Sequence, residues 1–310
     1  MKPSRRRQRG MAIVTAVAVA ALVAALASFM AWRFGLWLRQ VDNQHDMAQA
    51  RIVARAAVNL ARLMLQSDAR RNDIVDHAGE TWAMPIPSLP VEKGTVGGRI
   101  LDAQGRFNLN NLVRSGVVSG PDLEAYQRLL AQLGLREELA MALVDWIDAD
   151  DRTHFPGGAE DQEYLSRDNP YRTSNRELFD LAELARVQGY TPEVVERLEP
   201  FVTALPQATT VNVNFAPAEV LMALLPGLDL PTAQSLVRQR ETEPFLQLSQ
   251  FTAALPPALA DLVTADKLSV TTRYFYTDAD ARFGRVSLSY RALVERFNDQ
   301  VPRIVWMKRK

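Results

Sequence analysis

An uncharged run of 22 residues near the amino terminus constrains this chain more than any other stretch. Residues 11–32 contain no charged side chain, whereas the ten residues before them carry five basic side chains and no acidic one. About 20 apolar residues are enough for a helix to span a bilayer. A basic segment in front of such a helix stays on the cytoplasmic side. We therefore expect residues 33–310 to act outside the cytoplasm, with this run as their membrane anchor.

The junction between the basic segment and the run has three interpretations. A secretory signal peptide has a shorter apolar core and then a small-residue cleavage site, for which Ala25-Leu26-Ala27 could serve, but the run continues to Trp32. A plain membrane anchor fits the hydropathy. Alternatively, Arg9-Gly10-Met11 resembles the site in type IV pilins and pseudopilins at which prepilin peptidase cuts, here between Gly10 and Met11.

Thr15 stands where most pilin-type subunits carry Glu, as the fifth residue after that cut. In that family the Glu neutralises the terminal amine of the neighbouring subunit, because a buried carboxylate needs a partner. The first subunit of a fibre has no preceding neighbour to meet. Thr15 therefore favours a position at the tip, unless the segment is not of the pilin type at all.

The helical pattern continues beyond the membrane face. Ile52, Ala56, Leu60 and Leu63 or Met64 recur at helical spacing and form an apolar stripe, with arginines and amides on another face. This predicts a single rod over residues 11–68, roughly 85–90 Å long at 1.5 Å per residue. We expect its second half to pack against a globular head.

The head is predicted to place β structure on both sides of a helical region. Three prolines in residues 81–90 predict an extended connector. Residues 95–110 predict two short strands around a turn at 103–106. Helices are predicted over residues 121–133, 136–147, 177–187, 191–202, 218–225, 230–240 and 246–254. Strands at 267–278 and 283–297, joined by a turn at 278–281, predict a hairpin. The simplest architecture is a small antiparallel sheet on the rod, with a helical domain inserted into it.

Composition limits both the partners and the ways in which a loop can be ordered. The chain has 36 basic and 36 acidic side chains, but without the ten leader residues 31 basic side chains face 36 acidic ones. This balance argues against a general nucleic-acid binder, which usually has a basic face. The chain has no cysteine, so disulfides cannot brace the exported part. A long irregular loop would need another ordering device, such as a metal ion.

The densest polar cluster lies between residues 145 and 175. We take six of its residues as candidate metal ligands: Asp148, Asp150, Asp151, Glu160, Asp161 and Asn175. Carboxylates this close repel one another, and a hard cation with six to eight oxygen ligands, such as calcium, would relieve the repulsion. The spacing is not that of an EF-hand, because Ala159 stands where the bidentate acid is required. Two alternatives remain: acid–base or glycosidase chemistry by paired carboxylates, and a merely solvated acidic loop.

Residues 211–245 resemble the helix-hairpin-helix module of DNA-binding proteins, in which a hairpin presents backbone N–H groups to a phosphate. Here Asp229 puts a negative charge where the phosphate would sit, and Pro231 removes a donor. We expect a packing role and no nucleic acid. A membrane-anchored DNA-binding protein of the competence type remains the alternative function. Asn-x-Asn occurs before a helix at residues 108–110 and again at 212–214, which helix capping is enough to explain.

Taken in order, these motifs resemble the minor pseudopilin K family of type II secretion. The matching stretches are Arg9-Gly10-Met11-Ala12, Phe107-Asn108-Leu109-Asn110, Asp145-Trp146-Ile147-Asp148, Gly157-Gly158-Ala159-Glu160-Asp161, Pro170-Tyr171-Arg172 and Val211-Asn212-Val213-Asn214. The resemblance implies an α+β, pilin-like fold. A long hydrophobic N-terminal helix packs on a small antiparallel sheet, and a large α-helical domain of helix-hairpin-helix or SAM-like modules is inserted. The implied parts are a leader (1–10), a transmembrane part (11–32) and an amphipathic part (33–69) of the helix, a first β region (70–110), the helical insertion (111–263) and a C-terminal hairpin (264–310).

The resemblance also implies a function, which is structural and not enzymatic. The subunit would form the pseudopilus tip with the I- and J-type minor pseudopilins, with the H-type as a further candidate, and support export of folded proteins across the outer membrane. It implies cleavage by prepilin peptidase, an inner-membrane anchor and a periplasmic head. It also implies a structural calcium ion in the acidic cluster.

Overall fold

A computed structural model describes residues 5–71, 75–297 and 300–310, with only the backbone for residues 5–10. It begins with one uninterrupted helix, α1 (Arg5–Ala69). Within the described residues, the stretch Met11–Ala69 is the one helix long and apolar enough to cross a membrane. The predicted rod is present and reaches about 97 Å at 1.5 Å per residue. Residues 1–4 of the predicted leader lie outside the described residues.

The C-terminal half of α1 packs on the head through small side chains. Its buried positions are Ala50, Ala54, Val58, Ala61 and Leu65. The stripe read from the sequence lies on a different face, since Ile52, Leu60 and Leu63 are 68, 53 and 52% exposed. The second half of the rod packs against the head as expected, but it does so through this alanine-rich face and not through the stripe. Alanines let a sheet approach the helix closely because their side chains are small. Helical spacing in the sequence shows which residues share a face, but it does not show which face packs against the head.

A five-stranded antiparallel sheet supports α1, in the order β1-β2-β9-β10-β11. The strands are, in chain order, β1 (Ile86–Val91), β2 (Gly94–Asp102), β3 (Phe107–Asn108), β4 (Val113–Arg114), β5 (Val117–Val118), β6 (Val202–Thr203), β7 (Val211–Asn212), β8 (Leu268–Ser269), β9 (Tyr274–Phe283), β10 (Val286–Glu295) and β11 (Arg303–Arg309). One face, with Phe275 and Ala292, meets α1. On the other face the Tyr276 hydroxyl lies 2.8 Å from the Thr203 hydroxyl of the insertion.

The first β region differs from its prediction in two ways. The proline-rich segment forms a short 3-10 helix at Thr81–Ala83 and then strand β1, which contains Pro87 and Pro90. A strand at the sheet edge tolerates proline, because its outward N–H groups have no partner to lose. The strands on either side of the turn at 103–106 do not pair with each other. Instead, β2 pairs with β1 and β9, whereas β3 pairs in parallel with β6.

The C-terminal hairpin exists, but its turn lies at Gly284, five residues beyond the centre predicted at 278–281. Gly284 has φ of 51°, a conformation that favours glycine. Asp278 lies inside β9. Burial alone would raise its pKa, but the guanidinium of Arg291 at 2.7 Å and the Lys310 ammonium at 2.9 Å hold that pKa well below its usual range. These cross-strand cations stabilise an aspartate that otherwise favours a turn. Strand β11 was not predicted.

The insertion consists of short helices around one apolar core. They are α2 (Gly120–Gln132), α3 (Leu139–Ile147), α4 (Asp161–Leu165), α5 (Pro192–Leu198), α6 (Ala218–Leu224), α7 (Leu230–Thr242) and α8 (Leu248–Ala254). The helix predicted over 177–187 is a 3-10 helix at Leu181–Arg186, started by the Asp180 side chain. Together with α1 and its sheet, these helices form the expected α+β fold.

The insertion contains two similar modules, each marked by an Asn-x-Asn motif. In the first module (residues 107–203) Asn110 donates to the Leu178 carbonyl and accepts from the Leu178 N–H. In the second module (residues 211–269) Asn214 makes the same two bonds with Phe245. A parallel strand pair closes each module, β3 with β6 and β7 with β8. Capping is not a sufficient explanation, because the first Asn of each pair also bonds a distant segment: Asn108 accepts from the Leu205 N–H, and Asn212 donates to the Asp76 carbonyl.

A buried ionic cluster joins the end of α1 to the sheet and the second module. The Asp76 carboxylate accepts from Arg296 at 2.5 Å and from the Thr272 N–H at 2.6 Å, and Arg296 also contacts Asp68 at 2.7 Å. Burial raises the pKa of Asp76 and raises that of Glu80 to about 7. The Asp76 carbonyl accepts from Asn212. This cluster fixes the second module to the end of α1.

Candidate metal site in the acidic loop

The acidic loop, residues 148–177, connects α3 to Leu178 in the first module. Asp148 ends α3, and its N–H still donates to the Val144 carbonyl at 2.8 Å. In the second module only Glu243 and Pro244 separate α7 from Phe245, the counterpart of Leu178. The acidic loop therefore lies where the second module has only a two-residue connection.

Three predicted ligands place buried oxygens in this loop that have no hydrogen-bond donor among the described residues. They are both carboxylate oxygens of Asp148, both of Glu160, and Oδ1 of Asn175. Asp148 and Glu160 are only 4 and 5% exposed. A carboxylate buried without a partner costs several kcal/mol. This donor set suits a cation that prefers oxygen ligands.

The electrostatics of the loop support the same conclusion. Burial, followed by the charges of Asp145, Asp148, Asp151 and Asp150, raises the pKa of Glu160 to about 7. Burial and then Asp145 and Asp150 raise the pKa of Asp148 to about 6. The fold thus brings these five carboxyl groups within range of mutual repulsion. Asp150 and Asp151 lie at the exposed edge, where Asp150 accepts from the Arg152 N–H at 2.9 Å.

The predicted set did not include Asp145, which lies at the centre of the site. This fully buried side chain lies 2.6 Å from His154 Nδ1 and also accepts from the His154 N–H at 3.1 Å. Burial raises its pKa. Asp145, Asp148 and His154 each offer a ligand atom, all within 4.8 Å of one another. The sequence did contain a signal for Asp145, because its spacing of three from Asp148 places both side chains on one face of a helix.

Asp161, unlike Asp148 and Glu160, has hydrogen-bond partners for both of its carboxylate oxygens. One of its oxygens accepts from the N–H and hydroxyl of Thr173 at 2.9 and 3.0 Å, and the other from Arg172 at 2.8 Å. The Thr173 N–H bond lowers its pKa. These bonds give Asp161 a role in bracing the loop, and its place in the ligand set remains a prediction from the sequence.

Glycine and aromatic residues shape the acidic loop in a chain that has no disulfide. A side chain at Gly158 would collide with the Asp145 carboxylate and the His154 carbonyl. Trp146 packs edge-on against Tyr164 at 5.2 Å, and Arg167 lies over the Tyr164 ring at 4.4 Å. These contacts hold the loop in one conformation around the buried oxygens.

Two charged side chains of the second module bond within the module itself. Asp229 caps α7 by accepting from the Thr232 N–H at 2.9 Å. Arg240 points inward and donates to the Val213 carbonyl at 2.5 Å, and its burial lowers its pKa to about 10. A capping carboxylate and a buried arginine are parts of a packing module, as the sequence predicts.

Thr15 satisfies its hydroxyl within its own helix. Its Oγ1 donates to the Met11 and Ala12 carbonyls, both at 3.0 Å. Met11 itself is 71% exposed and Gly10 continues the same helix. A Thr at this position therefore needs no partner from another chain.

Comparisons with known proteins agree with this arrangement. Two family models described as type II secretion system protein K match residues 105–207 and 211–271, which are the two modules. A type II secretion system protein K of Pseudomonas aeruginosa is 36% identical over 290 residues, covering 90% of this chain and 86% of that protein. The corresponding protein of Klebsiella pneumoniae is 33% identical over 307 residues, covering 94 and 93%.

A solved structure shares the fold. The crystal structure of the GspK–GspI–GspJ complex from the enterotoxigenic Escherichia coli type 2 secretion system matches with a TM-score of 0.76 and 27% identity, over 87% of this chain and 99% of that one. The competence-type DNA-binding alternative is not favoured. With its apolar rod, small sheet and two inserted modules, the chain belongs to the type II secretion system protein K family and is a minor pseudopilin.

Proposed function

We propose that this subunit sits at the tip of the pseudopilus, bound to the I- and J-type minor pseudopilins with the H-type as a further candidate partner, where it supports export of folded proteins. The complex named for the solved relative supports the I- and J-type partners. The helical modules enlarge the head beyond its sheet, which suits a terminal position better than a stacked one. The proposed role is structural and requires no catalytic step.

The observation that carries the tip position is the internally bonded Thr15 hydroxyl. A shaft subunit must bury a carboxylate against a neighbour's amine, whereas Thr15 can lie in lipid or fibre with its hydrogen bond already made. Before assembly, α1 holds the subunit in the inner membrane with the head in the periplasm, because the basic leader stays in the cytoplasm.

Cleavage by prepilin peptidase between Gly10 and Met11 tests this proposal. Gly10→Leu should leave an uncut precursor on an immunoblot, because the peptidase must fit a residue without a side chain. Gly35→Leu is the control, since Gly35 is also in α1 and has open space around it. Normal processing of Gly10→Leu would contradict a pilin-type leader. Failure of the processed chain to co-purify with co-expressed I- and J-type subunits would contradict the tip complex.

We further propose that a calcium ion is held by Asp148, Glu160 and Asn175, with Asp145 and the exposed Asp150 and Asp151 contributing charge. The unpartnered buried oxygens support this assignment. The ion would neutralise the acids and fix the loop to α3. Melting the detergent-solubilised full chain with EDTA and with calcium tests it, since a ligand of the native state raises the melting temperature. An unchanged melting temperature would refute it.

A further inference from the structure

The end of α1 contributes to a second group of carboxyl side chains, which belongs to other elements than the acidic loop. This junction cluster consists of Asp68, Asp76 and Glu80, and each of them offers a ligand oxygen within 4.8 Å of those of the other two. Oxygens bound to one calcium ion lie about 2.3–2.6 Å from it, so they are at most about 5 Å apart. The three carboxyl groups are therefore close enough to share one ion.

The fold holds Asp76 in place through both its backbone and its side chain. Its N–H donates to the Val270 carbonyl at 2.9 Å, and its own carbonyl accepts from Asn212 at 3.1 Å. Its Oδ2 accepts from the Thr272 N–H at 2.6 Å and from Arg296 at 2.5 Å. These bonds fix the carboxylate, which therefore cannot turn towards solvent.

The other carboxylate oxygen of Asp76, Oδ1, has no hydrogen-bond donor among the described residues. The residue is only 1% exposed, so bulk water does not solvate this oxygen. A buried polar atom without a partner is strongly destabilising, and proteins nearly always give such an atom a partner. A cation bound to this oxygen and to the two neighbouring carboxyl groups would supply that partner.

Arg296 neutralises only part of the junction cluster. Its guanidinium donates to one oxygen of Asp68 at 2.7 Å and to one of Asp76, and also to the Thr272 carbonyl at 2.8 Å. It thus brings one positive charge to three carboxyl groups. Burial first, and then the charges of Asp68 and Asp76, raise the pKa of Glu80 to about 7. A divalent cation would relieve this repulsion.

We propose that the junction cluster binds a calcium ion, with Asp68, Asp76 and Glu80 as its protein ligands and water in the remaining positions. A set made only of carboxyl oxygens suits calcium better than a transition metal. The site is separate from the one proposed for the acidic loop, and it goes beyond the proposed tip role.

The ion would join three parts of the chain. Asp68 lies in the last turn of α1, and Glu80 precedes the 3-10 helix that leads into the sheet. Asp76 is bonded to the second module through Asn212. Calcium at this point would therefore fix the direction in which the rod leaves the head.

Trp82 provides a local reporter for the proposed ion. Its Nε1 donates to Glu80 Oε2 at 2.7 Å, and its ring packs edge-on against Phe275 at 5.0 Å. Terbium replaces calcium at oxygen sites and emits light when a tryptophan beside it is excited. Trp146, at the end of α3, would report the acidic loop in the same way. The test therefore uses the full chain with Trp146→Phe, which removes that second reporter.

The assay is terbium luminescence of the detergent-solubilised Trp146→Phe chain at neutral pH, with tryptophan excited selectively. We expect emission that an excess of calcium abolishes. Glu80→Gln should weaken terbium binding about tenfold, because a charged oxygen ligand becomes a neutral amide. The amide oxygen can still accept from Trp82, so the reporter stays in place. The matched control is Glu92→Gln, an exposed change in the same β region, which should leave the affinity unchanged.

Two further variants locate the ion. Trp82→Phe should abolish the emission, whereas Glu160→Gln in the acidic loop should leave it unchanged. The proposal would be overturned by emission that persists in Trp82→Phe, by emission that is lost in Glu160→Gln, by equal affinities of the Glu80→Gln and Glu92→Gln chains, or by the absence of calcium-sensitive emission. Each measurement uses the isolated chain, so none of these results would refute the tip complex.

Discussion

Replacing Glu160 with Gln should stabilise the metal-free protein and weaken its response to calcium. The side chain is 5% exposed, both of its oxygens lack donors, and its pKa is about 7 instead of the ordinary 4.5. Because the folded state binds the Glu160 proton more tightly than the unfolded state does, this proton stabilises the fold fully below about pH 4.5. Its stabilising contribution is lost as the pH rises through 7. One pKa unit corresponds to about 1.4 kcal/mol. Solvent at the exposed edge of the loop screens part of this effect. We therefore expect ionised Glu160 to lower the free energy of unfolding by about 2 kcal/mol at pH 8.

The assay is thermal melting of the detergent-solubilised full chain at pH 8. In EDTA, Glu160→Gln should melt about 6 °C above wild type, since 1 kcal/mol shifts a head of this size by about 3 °C. At pH 5 the difference should be small, because wild-type Glu160 is then protonated. Added calcium should raise the melting temperature of wild type by more than that of the variant. Glu163→Gln, an exposed change three residues away, should alter neither.

A lower melting temperature of Glu160→Gln in EDTA at pH 8 would refute this reasoning. It would mean that Glu160 has a stabilising partner in the folded protein. A full calcium response in the variant would separately remove Glu160 from the ligand set.

Three further predictions concern the scaffold. Asn214→Ala should destabilise the head by about 3 kcal/mol in urea unfolding, because it leaves the Phe245 N–H and carbonyl buried without partners. Arg296→Met should cost about 4 kcal/mol in the same assay, because it leaves the buried Asp76 carboxylate without its cation. Wild-type stability should fall between pH 5 and 8 as Glu80, with a pKa raised by burial to about 7, loses its proton. Glu80→Gln should flatten that slope, and an unchanged slope would contradict the assignment.

The long helix was predictable because its signal is local and continuous. Residues 11–68 carry no proline, so the hydropathy and the helical period of the sequence are enough to predict the helix. The face that packs was not predictable, because alanines such as Ala50 and Ala54 give almost no signal of amphipathicity and yet allow the closest approach to the sheet. The larger side chains of Ile52 and Leu60 dominate the pattern, although they remain exposed.

The hairpin shows how distant charges override local preference. Asp278 and the alternating Asp and Ala residues after it are typical of a turn, but they lie in a strand between β2 and β10, where Arg291 and Lys310 neutralise Asp278. The acidic loop shows the same limit. Clustering in the sequence selected Asp148, Glu160 and Asn175, whose buried oxygens have no donor among the described residues. The partners of Asp145 and Asp161 are His154 and Thr173, which spacing does not reveal.

The resemblance between the two modules has a consequence for the acidic loop. In the second module the reciprocal bonds of Asn214 close directly on Phe245 after two residues, whereas in the first the bonds of Asn110 close on Leu178 only after the whole loop. The ends of the loop are thus held by the module, not by the loop itself. Changes in the length or the acids of the loop therefore leave the bonds that close the module in place. The calcium ion proposed for the loop would therefore stabilise the loop and not the module that carries it.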